Sequence, residues 1–171
     1  MNNRYLRART LARSRHLGQR YGDRPYSYHL DSVADLAQPF GSDAMIVAQL
    51  HDLLEDTETS VDEIAAEFGF TIADAVMYLT DSSEITRSVR KEEANSRLRN
   101  LTVFEESARL ALIVKACDRL ANVRASKMFS TKHLTRYREE HGAFRNACYR
   151  KGLCEAIWWE LDNLIEPKGY A

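Results

Sequence analysis

The nonapeptide QLHDLLEDT, residues 49–57, sets a His-Asp pair one helical turn ahead of a Glu-Asp pair inside a strongly apolar segment. Read as helix, it puts His51 and Glu55 four residues apart on one face, with Asp52 and Asp56 a parallel pair about 100° around. Burying an ionised carboxylate costs several kcal/mol unless a cation compensates. Either these acids occupy a solvated helix end, or something positively charged sits among them. A divalent metal answers the second case, because neutral imidazole and carboxylate are its ordinary ligands and His51 with Asp52 offers both from adjacent positions. Glu55, one turn further on, is then placed to orient or deprotonate a water. The peptide by itself leaves both readings open.

Around that stretch the chain reads as helical almost throughout. Only seven Gly and three Pro punctuate its 171 residues, and apolar side chains recur at intervals of three and four. A composition of 44% hydrophobic and 29% charged residues fits a soluble globular protein and excludes a disordered chain or a membrane span. The length suits one core, so a single compact all-α domain over residues 1–171 is expected, with little room for strands.

The first helix is expected from about Arg4 to Gln19, then a turn over RYGDRPYS, with Pro25 suited to the first position of a second helix running through His29 to about Leu36. PFGSD breaks the chain at residues 39–43, and Ser42 or Asp43 can cap a helix that runs unbroken into Glu55. Ser60 and Glu63 stand at capping-box spacing, with Gly69 placed to end that helix; Thr71 and Asp74 repeat the signal before a helix to about Leu79. Residues 80–97, TDSSEITRSVRKEEANSR, read as a polar, mobile loop. A long helix follows from about Glu105 to Lys127, and packing helices fill about 131–165.

The net charge of −1 conceals a segregated pattern. Residues 25–86 contain no Lys or Arg and thirteen acids, whereas seven Arg precede them and Arg87, Arg90, Lys91, Arg97 and Arg99 follow. An acidic middle between basic flanks can set a cation beside bound phosphates; solvated helix faces would give the same count. The N-terminus lacks the apolar stretch of a secretory signal. Cys117, Cys148 and Cys154 are odd in number and lie in apolar or helical contexts, which argues against a disulfide framework and for a reduced, cytoplasmic protein.

Two further positions bear on the metal reading. His29, in PYSYHLDSVADL, is either a satisfied core side chain or a ligand. Asp118 is an unexpected acid in the apolar run ALIVKACDRLANVR, and Asn122 joins it one turn later; Arg119 or Arg124 could neutralise it without any metal. His16, His133 and His141 have no ligand setting and read as surface or packing residues.

The order His29, His51-Asp52, Asp118 resembles the HD superfamily of metal-dependent phosphohydrolases. The segments GQRYGDRPYSYHL, LHDLLEDT, VDEIAAEFG, VMYLTD, RK and KACDRLANVR are similar to the hydrolase domain of the RelA/SpoT alarmone enzymes and to stand-alone small alarmone hydrolases of the Mesh1 type, over about residues 5–127. That resemblance implies an HD-domain helical bundle in which His29, His51, Asp52 and Asp118 ligate one metal, usually Mn²⁺. It further implies that Glu55 and Asp56 position the attacking water and move its proton, that Arg20 lies against a guanine base, that Asn122 lies near the ribose and phosphates, and that Arg90 and Lys91 lie near the pyrophosphate. The reaction so implied is removal of the 3′-pyrophosphate from guanosine tetraphosphate or pentaphosphate (ppGpp, pppGpp), a stringent-response activity, giving GDP or GTP and pyrophosphate. No nucleic acid or membrane partner is expected, and a homo-oligomer is left open.

The pattern has two departures. Tyr21 stands where the family commonly has a Lys beside the matched arginine, which removes a charge from the phosphate side of the pocket. Leu30 replaces the Pro that usually follows the first histidine. The alternatives are an HD phosphohydrolase acting on another nucleotide, such as NADPH or an adenine alarmone, and a catalytically retired nucleotide-binding module. On affinity grounds the same ligand set also accepts Zn²⁺ or Fe²⁺.

Overall fold

The computed structural model describes residues 3–81 and 86–165. Its helices are α1 (Asn3–Arg15), α2 (Ser27–Ala37), α3 (Ser42–Leu50), α4 (Leu53–Asp56), α5 (Val61–Phe68), α6 (Phe70–Leu79), α7 (Arg87–Arg99), α8 (Glu106–Phe129), α9 (Thr131–Cys148) and α10 (Glu155–Ile165). The expected all-α class holds. A two-residue ribbon is its one addition among the described residues: β1 (Arg20–Tyr21) pairs antiparallel with β2 (Arg24–Pro25), in the register Arg20↔Pro25 and Tyr21↔Arg24.

The axis of the bundle is α8. Leu110, Leu112, Ile113, Val114, Ala116, Cys117, Leu120 and Val123 are all buried on it, and a helix apolar on so many sides must be enclosed by others. α2, α3, α6, α9 and α10 pack around it. Apolar side chains from α1 through α10 join in one continuous core, with Trp158 of α10 nearly fully buried against Phe144 of α9.

Several sequence expectations are corrected. The helix expected to run unbroken from Ser42 to Glu55 is interrupted at His51-Asp52. The His51 Nδ1–H donates to the Ala48 carbonyl at 2.8 Å, occupying an acceptor that the next helical turn would otherwise use, and Asp52 sits at φ −98°, ψ −1°, in the sparsely populated bridge region. Pro25 does not begin α2. It lies in the ribbon, and α2 starts at Ser27; the Tyr26 N–H bonds the Gln19 carbonyl and Gly22 turns the hairpin at φ +61°. The first helix stops at Arg15, four residues early, where His16 and Leu17 turn into Gly18 at φ +85°.

The supposed mobile loop contains α7; its part over 82–85 lies outside the described residues. Only Ala94 and Leu98 of α7 are buried, too sparse a stripe to register as helical periodicity. Its C-terminal end is secured from far away: the Arg150 guanidinium donates to the carbonyls of Leu98, Arg99 and Leu101 at 3.0–3.1 Å. α6 begins directly after Gly69, so the second capping box does not form. The first one does. Ser60 accepts from the Glu63 N–H at 3.2 Å and Glu63 accepts from the Ser60 N–H at 2.9 Å.

Ser60→Ala is expected to lower the free energy of unfolding by about 1 kcal/mol, read as a lower urea midpoint at unchanged m value. An unmoved midpoint would mean that tertiary contacts, and not the cap, hold the start of α5.

Candidate metal centre

Three separate pieces of chain converge where α2, the α3–α4 break and α8 meet. His29 comes from α2, His51 and Asp52 from the break, and Asp118 from the middle of α8. His51 Nε2 lies 3.0 Å from Asp52 Oδ2 and 3.8 Å from Asp118 Oδ1. His29 Nε2 lies 3.3 Å from Asp118 Oδ1 and 3.7 Å from Asp52 Oδ2. Both imidazoles are buried, and ligand atoms of His29, His51 and Asp118 fall within 4.8 Å of one another.

The break in the helix makes this geometry. Because Nδ1–H of His51 serves Ala48, the neutral ring has only the bare Nε2 lone pair to present, and that nitrogen has no hydrogen-bond partner. An acceptor nitrogen buried against two carboxylates is repulsive until a cation lies between them. A proton on Nε2 or a divalent ion satisfies the same requirement, and two imidazoles with two carboxylates are a donor set that borderline divalent metals accept. The residues present therefore fit a metal. In the metal-free protein, burial works against the His51 cation but Asp52 and Asp118 outweigh it and hold its pKa well above 6.5. Burial likewise opposes the Asp118 charge, and the two histidines hold it well below the usual carboxylate range.

Neither arginine that the sequence offered neutralises Asp118. Arg119 pairs with Glu140 at 3.0 Å while stacking on Tyr137 and Phe144, and Arg124 pairs with Glu160 at 2.7 Å.

The remaining candidates are placed unevenly. Asp56 adjoins the cluster: the Tyr26 hydroxyl donates to Asp52 Oδ2 at 2.6 Å and reaches Asp56 Oδ2 at 3.2 Å. Glu55 is half-buried and accepts from the Asp81 N–H at 3.2 Å; burial raises its carboxyl above the usual range, partly offset by that hydrogen bond. The break separates it from the simple shared face expected with His51. Asn122 donates to Asp118 Oδ1 at 2.6 Å. Lys91 is held by Asp81 at 2.6 Å, whereas Arg90 is half-buried with its Nε lacking a hydrogen-bond partner. Arg20 is exposed, its guanidinium on the Asp23 carbonyl. It borders a cavity of about 560 Å³ walled by Tyr21, Tyr28, Asn122, Phe129 and Tyr137.

Three residues escaped the sequence reading. Tyr26 ties Asp52 to Asp56, and Asp81 ties Lys91 to Glu55. Lys115 is a half-buried cation: burial lowers its pKa, yet Asp81, Asp118, Asp52 and Glu55 more than restore it. Its spacing from Asp118, three residues on one helix, was a legible signal. Asp81 offered none, because its partners are distant in sequence. The other histidines fall as expected: His16 stacks on Tyr26, His141 pairs with Asp162, and His133 is exposed at the rim of the cavity.

Two histidines and two aspartates from three separate pieces of chain thus meet in an all-α bundle, the arrangement of an HD domain. Residues 8–143 match the HD domain family, and the chain belongs to that family. HD-domain hydrolases are metal-dependent, and His29, His51 and Asp118 are a group that can hold an ion. The chain is 32% identical over 162 residues to a Synechocystis protein named probable guanosine-3′,5′-bis(diphosphate) 3′-pyrophosphohydrolase, a match covering 89% of this chain and 21% of that one. It is 30% identical over 121 residues to the guanosine-3′,5′-bis(diphosphate) 3′-pyrophosphohydrolase MESH1 of Danio rerio, covering 67% of this chain and 64% of that one. The chain spans about a fifth of the length of the bacterial relatives it matches, 17% to 22%. A solved metazoan ortholog of SpoT, described as hydrolysing ppGpp with a role in starvation responses, shares the fold. Its TM-score is 0.83 at 19% identity, over 100% of this chain and 98% of that one.

A divalent ion bound at His51 Nε2 would have to displace the proton held there. That proton stabilises the metal-free fold fully below the ordinary value of 6.5, and its contribution is lost as pH rises through the raised folded value. Metal affinity is therefore expected to increase as pH rises toward that raised value, with proton release on binding. Calorimetry in buffers of different ionisation enthalpy measures this, and a pH-independent affinity without proton release would remove His51 from the ligand set.

Proposed function

We propose that the chain is a Mn²⁺-dependent hydrolase that removes the 3′-pyrophosphate of ppGpp or pppGpp, releasing GDP or GTP and pyrophosphate. The observation that carries this reading is the convergence of His29, His51, Asp52 and Asp118 beside a cavity sized for a nucleoside. The names of the MESH1 and Synechocystis relatives support the choice of substrate.

A Mn²⁺ ion held by these four side chains would polarise a phosphoryl oxygen and make a water more acidic at neutral pH. Asp56 and Glu55, the acids next along the chain, would orient that water and take its proton. The water oxygen bonds to the phosphorus nearest the ribose; the bond from phosphorus to the ribose 3′ oxygen breaks, and that oxygen takes up a proton. Lys91 and Lys115 bring positive charge to the acidic end of the site, where negative charge grows in the transition state. In the cavity, Tyr137 and Arg20 offer faces on which a purine can stack, and Asn122 lies between the cavity and Asp118. Three buried free cysteines support a cytoplasmic setting.

Incubation of the purified chain with ppGpp, with Mn²⁺ or with chelator, and separation of the products tests the reading. GDP and pyrophosphate are expected with metal alone. Asp118→Ala should lose metal and turnover together. Glu55→Gln should keep metal while kcat falls at least about 100-fold, and normal turnover by that variant would remove Glu55 from the mechanism. Arg20→Ala should raise KM more than it lowers kcat. Failure to turn over ppGpp under any metal would sink the proposal.

A further inference from the structure

The two histidines of the metal centre are supported differently. A ligating imidazole ordinarily donates its second N–H to a carbonyl or carboxylate, which fixes both tautomer and ring orientation. His51 does so, through Nδ1 on the Ala48 carbonyl at 2.8 Å. His29 does not. Its Nδ1 is buried and without a hydrogen-bond partner, although Nε2 faces Asp118 and Asp52. With no bond on its far side, the ring must be held by packing.

That packing comes from Tyr21. Its ring lies parallel to the His29 imidazole, centroids 4.7 Å apart at 17°. The edge of Tyr26 braces both rings, at 6.3 Å from Tyr21 and 5.7 Å from His29. Tyr21 is itself fixed by the ribbon, where it pairs with Arg24. At its other end the Tyr21 hydroxyl donates to Asn122 Oδ1 at 2.8 Å, and Asn122 Nδ2 donates to Asp118 Oδ1 at 2.6 Å. The direction of this chain is set at both ends, because the phenol has one O–H to donate and the Asp118 carboxylate can only accept. A hydroxyl that donates to the amide oxygen forces the amide nitrogen toward Asp118.

We infer that Tyr21 is a positioning residue of the metal centre, its ring holding His29 in orientation and its hydroxyl holding Asn122, and through it Asp118. The inference rests on the metal-centre reading above. It assigns a task to one of the two residues at which the chain departs from its family's sequence pattern, and that task needs no charge. Loss of the ring and loss of the hydroxyl are separable: Tyr21→Phe keeps the stack and breaks the hydrogen-bond chain, while Tyr21→Leu loses both.

The test is Mn²⁺ affinity of the full chain, measured by titration calorimetry on metal-free protein, with chelator-treated melting curves to verify folding. Tyr21→Leu is expected to weaken binding about 10-fold to 100-fold, the range found for lost outer-sphere partners, and Tyr21→Phe by a smaller factor. Asn122→Ala completes the cycle: in its background Tyr21→Phe should have no further effect, because the hydroxyl acts only through that amide. If Tyr21→Leu does not fold, the Tyr21→Phe and Asn122→Ala cycle still decides the hydroxyl's role. Wild-type Mn²⁺ affinity in both Tyr21 variants overturns the inference while leaving the metal centre intact. An equal loss from Tyr21→Phe with and without Asn122 overturns the hydrogen-bond chain. A wild-type chain that binds no divalent ion overturns the metal-centre reading itself, and that failure is visible before any variant is made.

Discussion

The structure depends on a confrontation of acceptors. When neutral, His51 gives its one N–H to the Ala48 carbonyl, so that its other, buried nitrogen faces the partly buried carboxylates of Asp52 and Asp118. Buried charge of one sign is tolerated only with a counter-charge at contact distance. The two arginines nearest Asp118 in sequence are otherwise engaged, Arg119 with Glu140 and Arg124 with Glu160. A proton on His51, or a small cation that three helices can reach at once, supplies that counter-charge, and Lys115 adds to it from α8.

The surroundings keep that demand in place. α8 is enclosed by five other helices, so Asp118 cannot turn outward without dragging a packed helix with it. The bridge-region backbone at Asp52 directs its carboxylate back toward His51. Around the four inner groups runs a second layer, in which Tyr26 links Asp52 to Asp56, Asn122 links Asp118 to Tyr21, and Asp81 links Glu55 to Lys91. Four acids of that middle stretch, Asp52, Glu55, Asp56 and Asp81, thus lie at the site, where Lys91 of the basic flank and Lys115 of α8 meet them. Leu30, where the family pattern has Pro, is fully buried and donates its N–H to the Tyr26 carbonyl, a bond that Pro could not make.

Much of this was legible. His29, His51, Asp52 and Asp118 stood out because a polar group in an apolar helical run carries an energetic cost that needs a reason, and the order of those residues matched a family. The capping box of α5 was equally plain, since both halves of it lie within four residues. The unbroken helix through His51 was misread because helical periodicity does not register a side chain that competes for a backbone carbonyl. α7 was taken for a loop because seven of its thirteen residues are charged and its stability comes from Arg150, some fifty positions away. Asp81 and Tyr26 were passed over for the same reason: each derives its importance from partners that only folding brings near.

By itself the sequence determined the helical class, the long buried helix and the identity of the four groups at its centre, because hydrophobic spacing and misplaced charge are local properties of a chain. The tertiary structure alone decided where the helix carrying His51 breaks, which way Glu55 points and what steadies His29. Those outcomes depend on distances between segments remote in sequence, and such distances do not exist until the core has closed.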